Sequence, residues 1–134
     1  MKIAVDAMGG DHGLSPNVEG AILAARESSL SVILVGDEPS LKSHLDHLGG
    51  KKPNIEIFHA TQVVDMHESP ALIARKKRDS SIWKATELVK NKQADALVSA
   101  GNTGATMVSA FFLLGLIQGV ERPAIAATLP TRQG

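Results

Sequence analysis

The stretch LVSAGNTGA, Leu97 to Ala105, carries an apolar strand through a loop of small residues straight into a helix. Such a junction aims several backbone N–H groups and the positive helix end at one place, so it can hold a phosphate or an oxyanion without a charged side chain. Gly101 and Gly104 permit close backbone approach, while Asn102 and Thr103 add side-chain hydrogen bonds. A purely structural strand-to-helix turn uses the same residue types, and that alternative stands beside the anion site.

A second junction of the same kind opens the chain. Ile3 to Asp6 is a short apolar strand ending in a carboxylate, followed by Ala7-Met8-Gly9-Gly10-Asp11-His12-Gly13 and then Ser15-Pro16. Ser15 suits an N-cap and Pro16 the first helical position, which predicts a helix beginning there. In an open parallel sheet both loops lie at the carboxyl edge, where ligands of such folds bind.

Strand and helix patterns alternate along the rest of the chain. Further strands are predicted at Ser31 to Val35, Ile55 to His59, Ala96 to Ser99 and Ala124 to Leu129. Val18, Ala21, Ile22 and Ala25 share one helical face; Leu41, Leu45 and Leu48 define a second helix ended by Gly49-Gly50. Ile82, Ala85 and Val89 mark a third helix behind Asp79-Ser80-Ser81, which supplies capping oxygens. This rhythm predicts parallel pairing through right-handed crossovers and a three-layer α/β/α domain with a mostly parallel sheet. The segment Thr103 to Ile117 is apolar nearly all round and too short to span a bilayer. It is expected to be a central or interface helix, with a membrane-surface role as the alternative.

Composition narrows the function classes. Fourteen Lys plus Arg balance fourteen Asp plus Glu, so net charge gives no reason to expect a polyanionic partner such as nucleic acid. The absence of cysteine excludes disulfides, thiolate metal sites and a cysteine nucleophile. Asp6 interrupts the opening apolar run too early for a signal-peptide core. GNTGAT lacks the lysine of a P-loop, and the first glycine loop does not match the dinucleotide fingerprint.

The two loops, the intervening HESPALIARKKRDSS and the closing RPAIAATLPT occur together in an order that resembles the bacterial phosphate acyltransferase family of phospholipid synthesis. The resemblance covers essentially the whole chain and corresponds to the amino-terminal part of longer proteins. It implies a fold similar to the isocitrate and isopropylmalate dehydrogenase and phosphotransacetylase group. It further implies transfer of a fatty acyl group from acyl-acyl carrier protein to inorganic phosphate, without metal or organic cofactor. A homodimer, a cytoplasmic location with transient membrane association, and a membrane-bound glycerol-3-phosphate acyltransferase downstream are implied as well. On this view residues 1–134 are one α/β part of a larger domain; alone they are expected to self-associate and to be inactive.

Direct attack by phosphate needs no enzyme nucleophile, only orientation of phosphate and donors for the tetrahedral oxyanion. Asp6, Asp11, Asn102 and Thr103 are the expected catalytic residues. Gly9, Gly10, His12, Lys77, Ser80, Ser81, Ser99, Gly101 and Gly104 are the expected phosphate- or substrate-binding ones. Carboxylates repel phosphate, so Asp6 and Asp11 read as loop organisers; a magnesium site from Asp6, Asp11 and His12 is the alternative. His44, His47, His59 and His67 read as surface or structural groups. Arg75-Lys76-Lys77-Arg78 cannot share one helical face, so some of these cations are solvated whatever the others do; a solvated segment stands beside the reading in which one or two, with Ser80 and Ser81, reach phosphate or the acidic carrier protein. A noncatalytic phosphate-binding module is the competing function.

Overall fold

Parallel β-strands need crossover connections, and this chain supplies a helix for each. The computed structural model describes residues 1–50 and 54–129. The order is β1 (Lys2–Asp6), α1 (Leu14–Glu27), β2 (Ser31–Gly36), α2 (Glu38–His47), β3 (Ile55–His59), α3 (Pro70–Lys76), α4 (Ser81–Lys90), β4 (Ala96–Ser99) and α5 (Thr103–Leu114). The four strands are all parallel and lie in the order β3-β2-β1-β4. The chain therefore runs outward from β1 to β3, then crosses back to place β4 on the other side of β1. The reversal lies between β1 and β4, with Asp6 level with Ser99 at their carboxyl ends.

Strand alternation divides the core between the two faces. Val32, Leu34 and Ile55 pack with Val18, Ala21 and Ile22 of α1 and Leu41 and Leu45 of α2. On the opposite face Ala4, Ile33 and Val35 meet Ala85 and Leu88 of α4. A third cluster joins α3, α4 and α5 through Ile73, Ile82, Trp83 and Ala105, with Leu97 of β4 alongside. The expected three layers are present, and so are the predicted helical faces.

Three expectations are corrected. First, α1 begins at Leu14, not behind a Ser15 cap: Gly13 occupies the N-cap position at φ 65°, and the Ser15 hydroxyl donates to Glu19 at 2.6 Å. Pro16 still lies in the first turn, where its missing N–H breaks no intrahelical bond. Second, residues 124–129 form no strand; Leu129 is 78% exposed, and no neighbouring strand beyond β4 offers a ladder among the described residues. Residues 130–134, which include the last two of the closing motif, lie outside the described residues. Third, the apolar helix stops at Leu114 because Gly115 takes a φ of 80°. It is covered on one side by α3 and α4, leaving Phe111, Phe112 and Leu114 exposed. The short helix α3 was not foreseen at all.

The connection leaving β3 is tied to the start of α4 by Asp79, whose carboxylate accepts from the hydroxyl and the amide of Thr61. These bonds, the hydroxyl's first, and then Lys84 hold the Asp79 carboxyl below its usual range. A lowered folded-state pKa means the stabilisation is present above the ordinary aspartate value and lost as pH falls through the lower folded one. Melting temperatures of wild type and Asp79→Asn should therefore differ at neutral pH and converge in acid. A constant gap across the acid range would show that ionisation of Asp79 contributes nothing.

Candidate active site at the β1/β4 edge

β1 and β4 deliver their last residues side by side, which places the two glycine loops at the point where strand order reverses. Asp6 is 3% exposed, and a buried carboxylate requires donors. Its Oδ2 accepts from the Ser99 hydroxyl at 2.7 Å and its Oδ1 from the Met8 amide at 3.3 Å. Ser99 Oγ in turn accepts from the Gly101 amide at 3.0 Å. One carboxylate thus anchors both loops.

Close backbone contact follows. A Cβ on Gly9 would stand 2.6 Å from Asp6 Oδ2 and 2.9 Å from Gly101 Cα, so only glycine fits there. Gly10 has a φ of 98° and packs against the Ala100 carbonyl, 3.2 Å from where a Cβ would sit.

Two asparagines fix the flanks. Asn17 Nδ2 donates toward the carbonyls of Ala7, Gly9 and Gly13, at 2.7 Å to Gly9. Asn102 caps α5 by accepting from the Ala105 amide at 3.0 Å. Its Nδ2 gathers the carbonyls of Asp65, Met66 and Glu68. Both ends of the Asn102 carboxamide are therefore engaged within the protein. By contrast, the amides of Gly9, Gly10, Asp11 and His12, and those of Asn102, Thr103 and Gly104, meet no acceptor among the described residues. These N–H groups, together with the exposed Thr103 side chain, are what this edge offers an anion.

The structure brings Asp6, Gly9, Gly10, Ser99, Gly101, Asn102 and Thr103 together at one edge. Asp11 and His12 are exposed on the first loop. Gly104 has a packing role: a Cβ there would overlap the Pro70 ring, so the glycine lets α5 abut α3. Lys77 pairs with Glu68 at 3.2 Å and donates to the Val63 carbonyl, which attaches it to the segment that Asn102 holds.

Ser80 and Ser81 are placed differently from the expectation that they face a phosphate. Both are buried, and Ser80 Oγ caps α4 while donating to the Lys77 carbonyl at 2.6 Å. Packing of α4 against the sheet removes them from solvent. Within the basic run Arg75, Lys76 and Arg78 are all exposed, and Arg78 in addition lies over the Trp83 ring and donates to the Ala74 carbonyl. No group of three or more His, Asp or Glu side chains capable of holding a metal ion occurs among the described residues. Asn17 and the Asp65–Glu68 turn were missed; an asparagine in a helix's first turn, where its side chain competes for nearby backbone, was the available cue.

The family model described as "Fatty acid synthesis protein" matches residues 1–134. A phosphate acyltransferase of Trichlorobacter lovleyi is 52% identical over 134 residues, and one of Dictyoglomus turgidum is 51% identical over 131. These alignments cover 100% and 98% of this chain but 39% of each relative, so the chain spans about two fifths of their length. Among solved structures, the EutD phosphotransacetylase from Staphylococcus aureus superposes with a TM-score of 0.60 over 91% of this chain and 40% of its own. At 23% identity that likeness shows a shared fold.

The contact at Gly9 has a measurable consequence. Gly9→Ala should cost about 1–3 kcal/mol, because the added methyl forces the loops apart. Gly20→Ala, in α1 with nothing within 4 Å of the new Cβ, should instead stabilise by about 0.5–1 kcal/mol. Urea unfolding of the two variants compares them directly; equal effects would mean that the loops do not touch.

Proposed function

The chain belongs to the fatty acid synthesis protein family, and from that premise we propose that residues 1–134 are the amino-terminal α/β part of a phosphate acyltransferase. The reaction transfers a fatty acyl group from the thioester of acyl-acyl carrier protein to inorganic phosphate. A phosphate oxygen attacks the thioester carbonyl, the tetrahedral oxyanion collapses, the C–S bond breaks, and acyl phosphate leaves with the carrier thiolate. Thiolate is a good leaving group, so no strong general acid is required.

The observation that carries this reading is the pair of loops in backbone contact, with unpartnered amides on both and a helix amino terminus behind one. Such donors suit both the phosphate and the developing oxyanion. The amides of Gly9, Gly10, Gly104 and Thr103 and the Thr103 hydroxyl are assigned to substrate. Asp6, Ser99, Gly101 and Asn102 position them and His12 donates to phosphate, while Asp11 lies exposed on the first loop with no hydrogen-bond partner among the described residues. Arg75 and Lys76, solvated in the last turn of α3, face the acidic carrier protein, while Lys77 reaches the site through Glu68.

The reading extends to a cytoplasmic homodimer that delivers acyl phosphate to a membrane-bound glycerol-3-phosphate acyltransferase and touches the bilayer transiently. Among the described residues no helix is long and apolar enough to cross a membrane.

The test is acyl-phosphate formation from palmitoyl-acyl carrier protein and phosphate by the intact protein. Turnover should survive exhaustive chelation, and Asp6→Asn should lower kcat about tenfold or more by releasing the two loops its carboxylate anchors. Chelation-sensitive turnover restored by magnesium would make the carboxylates metal ligands instead. Phosphate binding without thioester consumption would leave a binding module in place of an enzyme.

A further inference from the structure

Asn102 aims the first turn of α5, and what aims Asn102 lies in the connection ahead of α3. Its Nδ2 donates to the carbonyls of Asp65, Met66 and Glu68, while its Oδ1 accepts from the Ala105 amide. Those carbonyls belong to one turn, closed by the Glu68 amide donating to the Asp65 carbonyl at 3.1 Å. Glu68 closes it a second time through its side chain, whose Oε2 accepts from the Asp65 amide at 3.2 Å and stands 3.2 Å from Lys77 Nζ. Lys77 Nζ also donates to the Val63 carbonyl at 2.8 Å, so one ammonium grips both ends of residues 63–68. The lysine is itself anchored. Its amide donates to the Ile73 carbonyl at the end of α3, and its carbonyl accepts from the amide and the hydroxyl of buried Ser80.

We propose that Glu68 is a positioning residue for the anion site: its carboxylate, held by Lys77, fixes the turn that orients Asn102 and through it the amides of Thr103 and Gly104. The inference rests on the reading of those amides as phosphate donors. Charge alone predicts the opposite effect. A carboxylate beside an anion site repels the anion and withholds its lysine from phosphate, so on that basis Glu68→Gln would free Lys77 and tighten binding. The hydrogen bonds predict weaker binding, because a neutral carboxamide holds Lys77 less firmly than a carboxylate does and the turn under Asn102 loosens. The side chains of Glu68 and Lys77 are 21% and 27% exposed, which shelters the pair from full screening. Ser80, removed from solvent by α4, has a part here as the anchor of the clamp.

The two readings differ in sign, which makes the test direct. Calorimetric titration of inorganic phosphate into the intact Glu68→Gln variant should give a dissociation constant about fivefold or more above wild type. Lys77→Met should do the same, the double variant should add little, and Lys77→Arg, which keeps the cation, should restore most of the affinity. In turnover the loss for Glu68→Gln should fall on the phosphate KM, with the KM for palmitoyl-acyl carrier protein changed less than about twofold. General loosening of the protein produces no such split. Amide hydrogen exchange reads the coupling without any ligand: the Ala105 N–H, protected by Asn102 Oδ1, should exchange faster in Glu68→Gln while the amides of β1 and β2 keep their wild-type rates.

Tighter phosphate binding by Glu68→Gln would make Lys77 a direct ligand and overturn the proposal. Unchanged affinity, a loss shared equally by both KM values, or unchanged exchange at Ala105 would also overturn it, and would leave phosphate binding by the loops standing. A wild-type protein that binds no phosphate would instead remove the anion site itself, and this role of Glu68 with it.

Discussion

A single buried carboxylate holds this edge of the sheet together. Asp6 ends β1, where the strand's apolar requirement would favour another branched aliphatic residue, and it is nearly excluded from water. It survives there because Ser99 and the Met8 amide donate to it. Hydrogen bonds to a charged group contribute about 1.5–3 kcal/mol, and losing one leaves a far larger desolvation penalty uncompensated. Since one donor comes from its own loop and the other from β4, the carboxylate solves its solvation only if the two strands end in register. The parallel pairing of Asp6 with Ser99 is thus both cause and product of the site's geometry.

The asparagines extend this logic from charge to backbone. Asn17 and Asn102 each draw carbonyl oxygens of a loop toward a side-chain amide. Asn17 holds the first glycine loop in a shape whose amides at Gly9, Gly10, Asp11 and His12 meet no acceptor among the described residues, while Asn102 ties the amino end of α5 to the Asp65–Glu68 turn. Cation side chains are not needed for that, and two of the basic run, Lys77 and Arg78, are engaged with Glu68 and Trp83. Gly104 and Pro70 then fix the attitude of α5, so the helix that closes the second loop also presents its apolar flank beside it.

Much of this was legible in the sequence because period and punctuation act locally. The faces of α1 and α2, the four strands and the two glycine loops follow from spacing alone. What escaped depended on tertiary partners. Ser80 and Ser81 look like free hydroxyls in a polar run, yet packing of α4 buries them. Ala124 to Leu129 has the composition of a strand but no ladder to join among the described residues. Ser15 has the right chemistry for a cap, but the positive φ of Gly13 lets the helix start two residues earlier, at Leu14. Gly104 reads in the sequence as room for an anion, whereas the structure shows its missing side chain making room for Pro70 of α3.

The claim that one carboxylate–hydroxyl contact assembles the proposed anion site is tested most directly by a double-mutant cycle on phosphate affinity. Calorimetric titration of inorganic phosphate into the intact wild type, Asp6→Asn, Ser99→Ala and the double variant supplies the four dissociation constants. If the contact organises both loops, either single change should weaken binding about tenfold, and the second change should add little, because one broken partner already releases the loops. Additive losses, or affinity unchanged in all three folded variants, would contradict the account.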